Sequence, residues 1–194
     1  MRKIVVILFV LISTVKLNAQ QTWKLAKDKD GIKVYTGKVL DSNYHGFKAI
    51  MSVKSSEQEI LEILKDVKKY PEWFAFTAST KLIAQSGNEQ SFFMETDYPF
   101  PFSNECMNYR MVLDKYQDNK TKISIMGTNP DLHCDYTMKK ASCYITLEPD
   151  NGNIIVTYYF HSEPSQNIPT WLINPKIYEM PFQTFKGLRK KLKL

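Results

Sequence analysis

Along most of the chain, polar and apolar positions alternate with a period of two. Trp23 to Lys27 opens a short apolar-polar segment, and Asp30-Gly31 is a turn signal. Ile32-Lys33-Val34-Tyr35-Thr36 then alternates as a strand, and Phe47 to Val53 follows with a looser β pattern. At Ser56 the period changes. Glu59 stands three residues on, the spacing of a capping box, and Ile60, Leu61, Ile63, Leu64 and Val67 draw an apolar stripe along a helix. Pro71 is expected to end that helix, because it disfavours a helical residue before it. Residues 72–76 are expected to be a short turn or loop.

Period-two segments then return over 80–85, 90–98, 105–117, 122–126, 142–147 and 153–162, with Gly, Pro, Asn and Asp clusters between them. The Pro149-Asp150-Asn151-Gly152 turn and the length of its flanking strands predict antiparallel hairpins. Residues 128–140 read as an irregular loop. From Pro169 onward the spacing is helical again, with Leu172, Ile173, Ile177, Met180, Phe185, Leu188 and Leu192 apolar. Pro175 and Pro181 are expected to divide or kink that segment. Strands, one amphipathic helix, six strands and a final helix make an α+β chain with an antiparallel sheet. Its natural packing is a curved sheet wrapped around the final helix, whose concave face one helix does not fill everywhere.

Composition narrows the class. Of 194 residues, 43% are hydrophobic and 13% aromatic, too many for a disordered chain and about right for one domain. Arg2 and Lys3, the apolar run Ile4 to Ile12 and the small residue of Leu17-Asn18-Ala19 have the order of a secretory signal peptide. The run is too short to span a bilayer. Residues 1–19 are therefore expected to be a leader, in the style of a bacterial exported protein, and 20–194 the domain. The protein is then periplasmic or extracellular.

Losing Arg2, Lys3 and Lys16 lowers the net charge from +6 to +3. Lys186, Arg189, Lys190, Lys191 and Lys193 concentrate charge in the tail. Cations at a helix end meet the C-terminal dipole favourably. A weak foothold on anionic lipid is the sharper reading. A nucleic-acid surface needs a basic face with interleaved aromatics, so no nucleic-acid partner is expected.

Three stretches carry a family resemblance. Residues 23–35 (WKLAKDKDGIKVY) resemble the opening of a START domain, the steroidogenic-acute-regulatory-related lipid-transfer fold. Residues 98–105 (YPFPFSNE) resemble its central Pro-aromatic-Pro turn. Residues 156–164 (VTYYFHSEP), followed by 168–174 (IPTWLIN), resemble its last strand and the approach to its C-terminal helix. The resemblance implies a helix-grip fold, a curved antiparallel sheet wrapped around a long C-terminal α-helix over a hydrophobic tunnel, and binding of one lipid or other apolar molecule. The chain departs from the family at Asn104-Glu105, where Arg-Asp is frequent, and at Ser142 and Tyr144, where Gly and Trp are common.

Reactive motifs are missing. There is no G-x-S-x-G, H-E-x-x-H or P-loop, and the seven glycines are isolated. No catalytic residue, cofactor or metal is expected. The competing reading is a cyclase- or hydrolase-like enzyme acting on an apolar substrate in the same cavity, with His161 beside Glu163, or Glu105, as its polar group. Glu95 and Asp97 share a strand face by the two-residue period and read as a solvated pair. Cys106, Cys134 and Cys143 are an odd number. Cys134 and Cys143 could pair in an oxidising compartment, leaving one thiol free.

A carrier needs apolar walls. Exposing a sixteen-carbon chain to water costs roughly 13 kcal/mol at about 0.8 kcal/mol per methylene, which a lining must offset. The candidates on strands are Phe92, Met94, Tyr109, Met111, Ile125, Tyr144, Val156 and Tyr158. Those on the final helix are Trp171, Leu172, Met180 and Phe185. The lid would be the C-terminal helix with the 128–140 loop. Alternation alone does not say which strand face points inward. The expected partner is a lipid or other hydrophobic small molecule, held by a monomer.

Overall fold

A computed structural model describes residues 22–116, 119–128 and 134–194. The expected leader and His133 lie outside the described residues. The strands are β1 (Lys24–Lys29), β2 (Ile32–Lys38), β3 (His45–Val53), β4 (Thr77–Ser86), β5 (Glu89–Thr96), β6 (Glu105–Lys115), β7 (Thr121–Gly127), β8 (Lys140–Asp150) and β9 (Asn153–Glu163). The helices are α1 (Glu57–Lys65), α2 (Thr170–Ile173) and α3 (Glu179–Lys191). All nine strands form one antiparallel, unclosed sheet in the order β1-β2-β3-β9-β8-β7-β6-β5-β4, curved around α3 in the helix-grip arrangement.

Neighbours in sequence are neighbours in the sheet, except that β3 pairs with β9. Tight turns make the rest possible. Asp30 and Gly31 both take positive φ (54° and 68°), as do Asn151 and Gly152 (47° and 82°). Two such residues in a row match the right-handed twist of the flanking strands, as a two-residue hairpin requires. The β3–β9 pairing runs from Phe47↔Phe160 to Val53↔Ile154 and joins the first three strands to the last six.

Burial settles the faces. Phe47, Ala49, Met51 and Val53 on β3, Tyr109, Met111 and Leu113 on β6, and Ile154, Val156, Tyr158 and Phe160 on β9 all point inward. Against them lie Phe182, Phe185 and Leu188 of α3. Aromatic rings fill this half of the groove. Phe92 stacks on Tyr109 at 5.5 Å, Tyr70 on Phe74 at 4.9 Å, and Phe47 meets Tyr158 edge-on at 4.9 Å. α3 approaches the backbone of Trp73 so closely at Gly187 that a Cβ there would strike the Trp73 carbonyl. Thr184 Oγ1 accepts the Ala75 N–H at 3.2 Å beside that contact.

Local expectations meet the structure unevenly. The capping box is formed: Glu59 N–H donates to Ser56 Oγ at 3.2 Å, and Ser56 N–H donates to Glu59 Oε2 at 3.0 Å. α1 stops at Lys65, however, before Pro71 can end it. Val67–Glu72 is a separate 3₁₀ helix that contains Pro71. The buried Tyr70 hydroxyl donates to the Leu64 carbonyl, which the end of α1 leaves without an intrahelical donor (2.5 Å). Pro175 does divide the final segment, in the turn between α2 and α3. Pro181 does not kink α3. It lies in the first turn, where the missing N–H has no intrahelical acceptor to lose.

Candidate functional site

The half of the concave face that α3 does not fill is a cavity of about 530 Å³. Its floor is the end of β9, Phe160 and Ser162, with Thr96 at the end of β5. Its roof is Ile168, Leu172, Ile173, Ile177 and Met180, from the segment that runs through α2 into α3. Tyr44, Phe76, Met138 and residues 97–100 close the sides. Polar groups are few and mostly at the rim, among them Asp97, Lys176 and Glu179. A second hollow of about 440 Å³, between α1 and the end of α3, is walled by Glu59, Glu62, Asp66, Lys69, Lys191 and Lys193 among others. That wall is charged, so it does not suit an apolar guest.

Of the twelve residues expected to line a tunnel, Leu172 and Met180 line the cavity. Phe92, Tyr109, Met111, Ile125, Val156, Tyr158 and Phe185 face the same interior but are packed into the solid core beside it, each at most 5% exposed. Met94 packs against that core from a partly buried position. Tyr144 lies on the opposite face of the sheet, stacked on Tyr159 at 4.8 Å with Lys122 over its ring. Trp171 points outward and is 74% exposed. Tyr44, Phe76, Tyr98, Met138, Phe160, Ser162, Ile168, Ile173 and Ile177 were not anticipated. Several lie in loops, where no periodicity marks an inward side chain. Phe160 and Ser162 continue the inward set of β9 that begins at Val156 and Tyr158.

Hydrogen bonds tie the roof to the sheet. Tyr44 Oη donates to the Ile168 carbonyl at 2.8 Å. The His45 N–H donates to Asn174 Oδ1 at 2.9 Å, and Asn174 Nδ2 donates to the Asn43 carbonyl at 3.1 Å. The carboxylate of Glu105, fully buried at the start of β6, accepts from the backbone of Ser165 and Gln166. At the start of α3, Lys27 Nζ bonds Glu179 Oε1 at 2.9 Å and stands 4.0 Å from the centroid of the Phe182 ring. That bond from Lys27 is the main cause holding the Glu179 carboxyl below its ordinary value. Burial, and then the negative charge of Glu105, pushes the phenols of Tyr44 and Tyr98 at the cavity wall upward.

His161 stands apart from the cavity. Phe160 and Ser162 line it, so strand alternation turns His161 to the other side. His161 Nε2 lies 3.1 Å from Ser42 Oγ and 4.0 Å from Glu163 Oε1. In a nucleophile–base–acid relay the nucleophile and the acid meet different ring nitrogens. Here both meet Nε2, so the arrangement is not a relay. Glu95 and Asp97 do not share a strand face, since β5 ends at Thr96. Glu95 accepts from Ser79 Oγ and Asn104 Nδ2, while Asp97 stands at the cavity rim.

The disulfide joins Cys106 to Cys134, with Cα atoms 6.3 Å apart, and not Cys134 to Cys143. Cys143 is free and buried on the inner face of β8, where burial pushes its thiol up. Cys106 faces outward, under the segment that carries Cys134. In the tail, Arg189 bonds the Asp30 carbonyl and Lys191 pairs with Glu72. Met180 at the cavity and Lys191 are eleven residues apart on α3, about 16 Å along the axis. Among the described residues, no group of three or more His, Cys, Asp or Glu side chains is placed to hold a metal.

Sheet, grip helix and apolar cavity together define a helix-grip protein. A solved STAR-related lipid transfer protein from Xanthomonas axonopodis is 30% identical, with a TM-score of 0.82 over 89% of this chain and 99% of that one. An uncharacterised protein of Pseudomonas aeruginosa is 30% identical over 174 residues, 87% of this chain and 86% of its own length. The mouse phosphatidylcholine transfer protein is 24% identical over 165 residues, 78% of this chain and 75% of its own. An aromatase/cyclase from Streptomyces, 12% identical with a TM-score of 0.51 over 76% of this chain and 93% of its own, shares the fold alone. No protein-family model matches the chain. The chain belongs to the STAR-related lipid transfer (START) family.

Proposed function

We propose that the protein binds and carries a lipid or other hydrophobic ligand in its cavity, without catalysis, in the cell envelope or outside the cell. The carrying observation is the apolar hollow between β9 and the α2–α3 segment. Such walls offset the roughly 13 kcal/mol that a sixteen-carbon chain costs in water, at about 0.8 kcal/mol per methylene. The family's lipid-transfer members support the same reading. Export is supported by the signal-like order of residues 1–19 and by the Cys106–Cys134 disulfide, a bond that persists in oxidising compartments.

Two exposed aromatic side chains support contact with a membrane during exchange. Phe100 lines the cavity and is 96% exposed, and Trp171 is 74% exposed on α2 beside the roof residue Leu172. Both suit the membrane–water interface better than the distant basic tail does. The test is transfer of a fluorescent lipid between vesicles by the mature protein, with native mass spectrometry of the loaded form. The expected result is one bound lipid per chain, with faster transfer than in protein-free vesicles. In the Phe100→Ala/Trp171→Ala variant, transfer should slow several-fold while the loaded form persists. A protein that takes up no lipid overturns the proposal.

A further inference from the structure

The loop between β2 and β3, residues 39–44, is a strap between the sheet and the cavity roof. Its Tyr44 lines the cavity and bonds the Ile168 carbonyl at 2.8 Å. Its Asn43 carbonyl accepts from Asn174 Nδ2 at 3.1 Å, and the next residue, His45, donates its N–H to Asn174 Oδ1 at 2.9 Å. Little holds the strap from outside. Leu40 is 80% exposed, and Asp41 and Asn43 are exposed as well. A segment with few buried apolar contacts opens locally at a fraction of the cost of unfolding.

The strap is seated on His161, which is 2% exposed. His161 Nε2 lies 3.1 Å from Ser42 Oγ, and the ring bonds the Tyr44 backbone. Val39 and Gly46 crowd the same place: a Cβ on Gly46 would lie 3.0 Å from Val39 Cγ2 and 3.6 Å from His161 Cβ. A neutral imidazole suits this seat, because it has one N–H to give and one lone pair to receive. A second proton removes the lone pair and places a charge where solvent is excluded. The neighbouring groups do not compensate it. On β9, Glu163 stands 4.0 Å away, beyond hydrogen-bond range. On β8, Lys140 faces Glu163 across the register and repels a protonated ring. On β3, His45 is paired in register with Lys38 of β2, a further cation. On the strap itself, Asp41 is exposed to water.

We propose that the strap is a proton-sensitive latch: when His161 takes up a proton, residues 39–44 lift from the sheet, the bonds of Tyr44 and Asn43 to the roof open, and the cavity releases its guest. The inference rests on the lipid-binding reading above and adds its regulation. With the strap lifted, His161 meets water and titrates near its ordinary 6.5, whereas burial under the seated strap lowers that value. The lifted form therefore binds protons more readily. Acid favours it below pH 6.5, by up to about tenfold per pH unit until the seated ring also takes up protons, and has no effect well above pH 6.5.

The experiment loads the mature protein with a fluorescent phosphatidylcholine, whose head group does not titrate between pH 5 and 8. Release to excess phosphatidylcholine vesicles is then timed at pH 7.5 and 5.5. Release should be about five- to tenfold faster at pH 5.5, with the circular dichroism of the folded protein unchanged. His161→Gln keeps a donor and an acceptor for the strap but takes no proton, so its two rates should be equal. His45→Gln should keep the wild-type ratio. Tyr44→Phe, which cuts one bond to the roof, should release faster than the wild type at pH 7.5. Release that ignores pH overturns the latch and leaves lipid binding standing. So does a pH ratio that persists in His161→Gln or vanishes in His45→Gln, a Tyr44→Phe rate equal to the wild type, or loss of the sheet signal at pH 5.5. A protein that never takes up the lipid overturns both readings.

Discussion

The Glu105 carboxylate accepts the Gln166 backbone N–H at 2.9 Å across 61 residues of sequence. The same carboxylate takes the Ser165 N–H at 2.9 and 3.0 Å, the Ser165 hydroxyl at 3.1 Å and Gln166 Nε2 at 3.2 Å. Gln166 in turn spans to Ser103, donating to its carbonyl at 2.8 Å and accepting its N–H at 3.1 Å. This clasp fixes the chain where it leaves β9 and begins the cavity roof. A buried carboxylate with this many donors is stabilised by them, and the donors are stranded without it.

Glu105→Gln keeps the shape but removes the charge and turns an amide donor toward other donors. Hydrogen bonds to a charged group contribute about 1.5–3 kcal/mol, so the variant should lose about that much stability. Hydrogen exchange should rise at Ser165, Gln166 and α2 before the core strands respond. A variant with unchanged melting and unchanged exchange would show that the clasp does not hold the roof.

The Cys106–Cys134 bond encloses a separation of 28 residues, for which cross-linking is worth about 3.6 kcal/mol of chain entropy. It holds the segment that carries Met138, a cavity wall residue 3% exposed. Reduction, or Cys106→Ser/Cys134→Ser, should lower the melting temperature and weaken lipid binding together. The backbone bonds from Cys106 N–H to the Tyr136 carbonyl (3.0 Å) and from Met138 N–H to the Cys106 carbonyl (3.1 Å) should keep the segment near its place. Scanning calorimetry with and without reductant measures the effect, and the serine variant should be insensitive to reductant.

His161 is 2% exposed, and burial is the main cause that lowers its pKa below the ordinary 6.5. Lys140 adds to the lowering, while Glu163 and the hydrogen bond with the Tyr44 backbone oppose it. Below pH 6.5 the unfolded chain binds a proton that the folded chain resists. The contribution to stability is therefore present above pH 6.5 and lost as pH falls below it. His45 is also lowered, by burial and then Lys38 and Lys24, and adds to the same slope. Melting temperatures between pH 7.5 and 5 should fall less steeply in His161→Gln than in the wild type. Equal slopes would remove His161 from the account.

Gly187→Ala inverts the usual helix rule. In an unhindered helix, Ala is favoured over Gly by up to about 1 kcal/mol. Here the new Cβ meets the backbone of Trp73, which cannot turn aside as a side chain can. Overpacking of this kind costs about 1–3 kcal/mol, so the substitution should destabilise. Chemical denaturation decides the sign, and a stabilised variant would mean that α3 has room to shift.

What could be read from residue order alone was local. Alternation marked most of the strands because side chains on a strand turn over every residue, while the mostly exposed β1 showed only a short apolar-polar segment. Ser56 with Glu59, and Asn151 with Gly152, announced a helix start and a hairpin because their bonds and dihedrals close within four residues. The order of these pieces, with the stretches near 23–35, 98–105 and 156–174, was enough for the helix-grip class. Only the tertiary structure decided that Tyr158 and Phe185 plug the groove while Phe160 and Leu172 border a hollow. All four are ordinary apolar residues in sequence. It also decided that Cys106, not Cys143, meets Cys134, and that Glu105 is a clasp. Each of those outcomes depends on which distant segments the curved sheet brings together. Period and composition carry no information about contacts made across the fold, and that is why the elements were legible while the cavity was not.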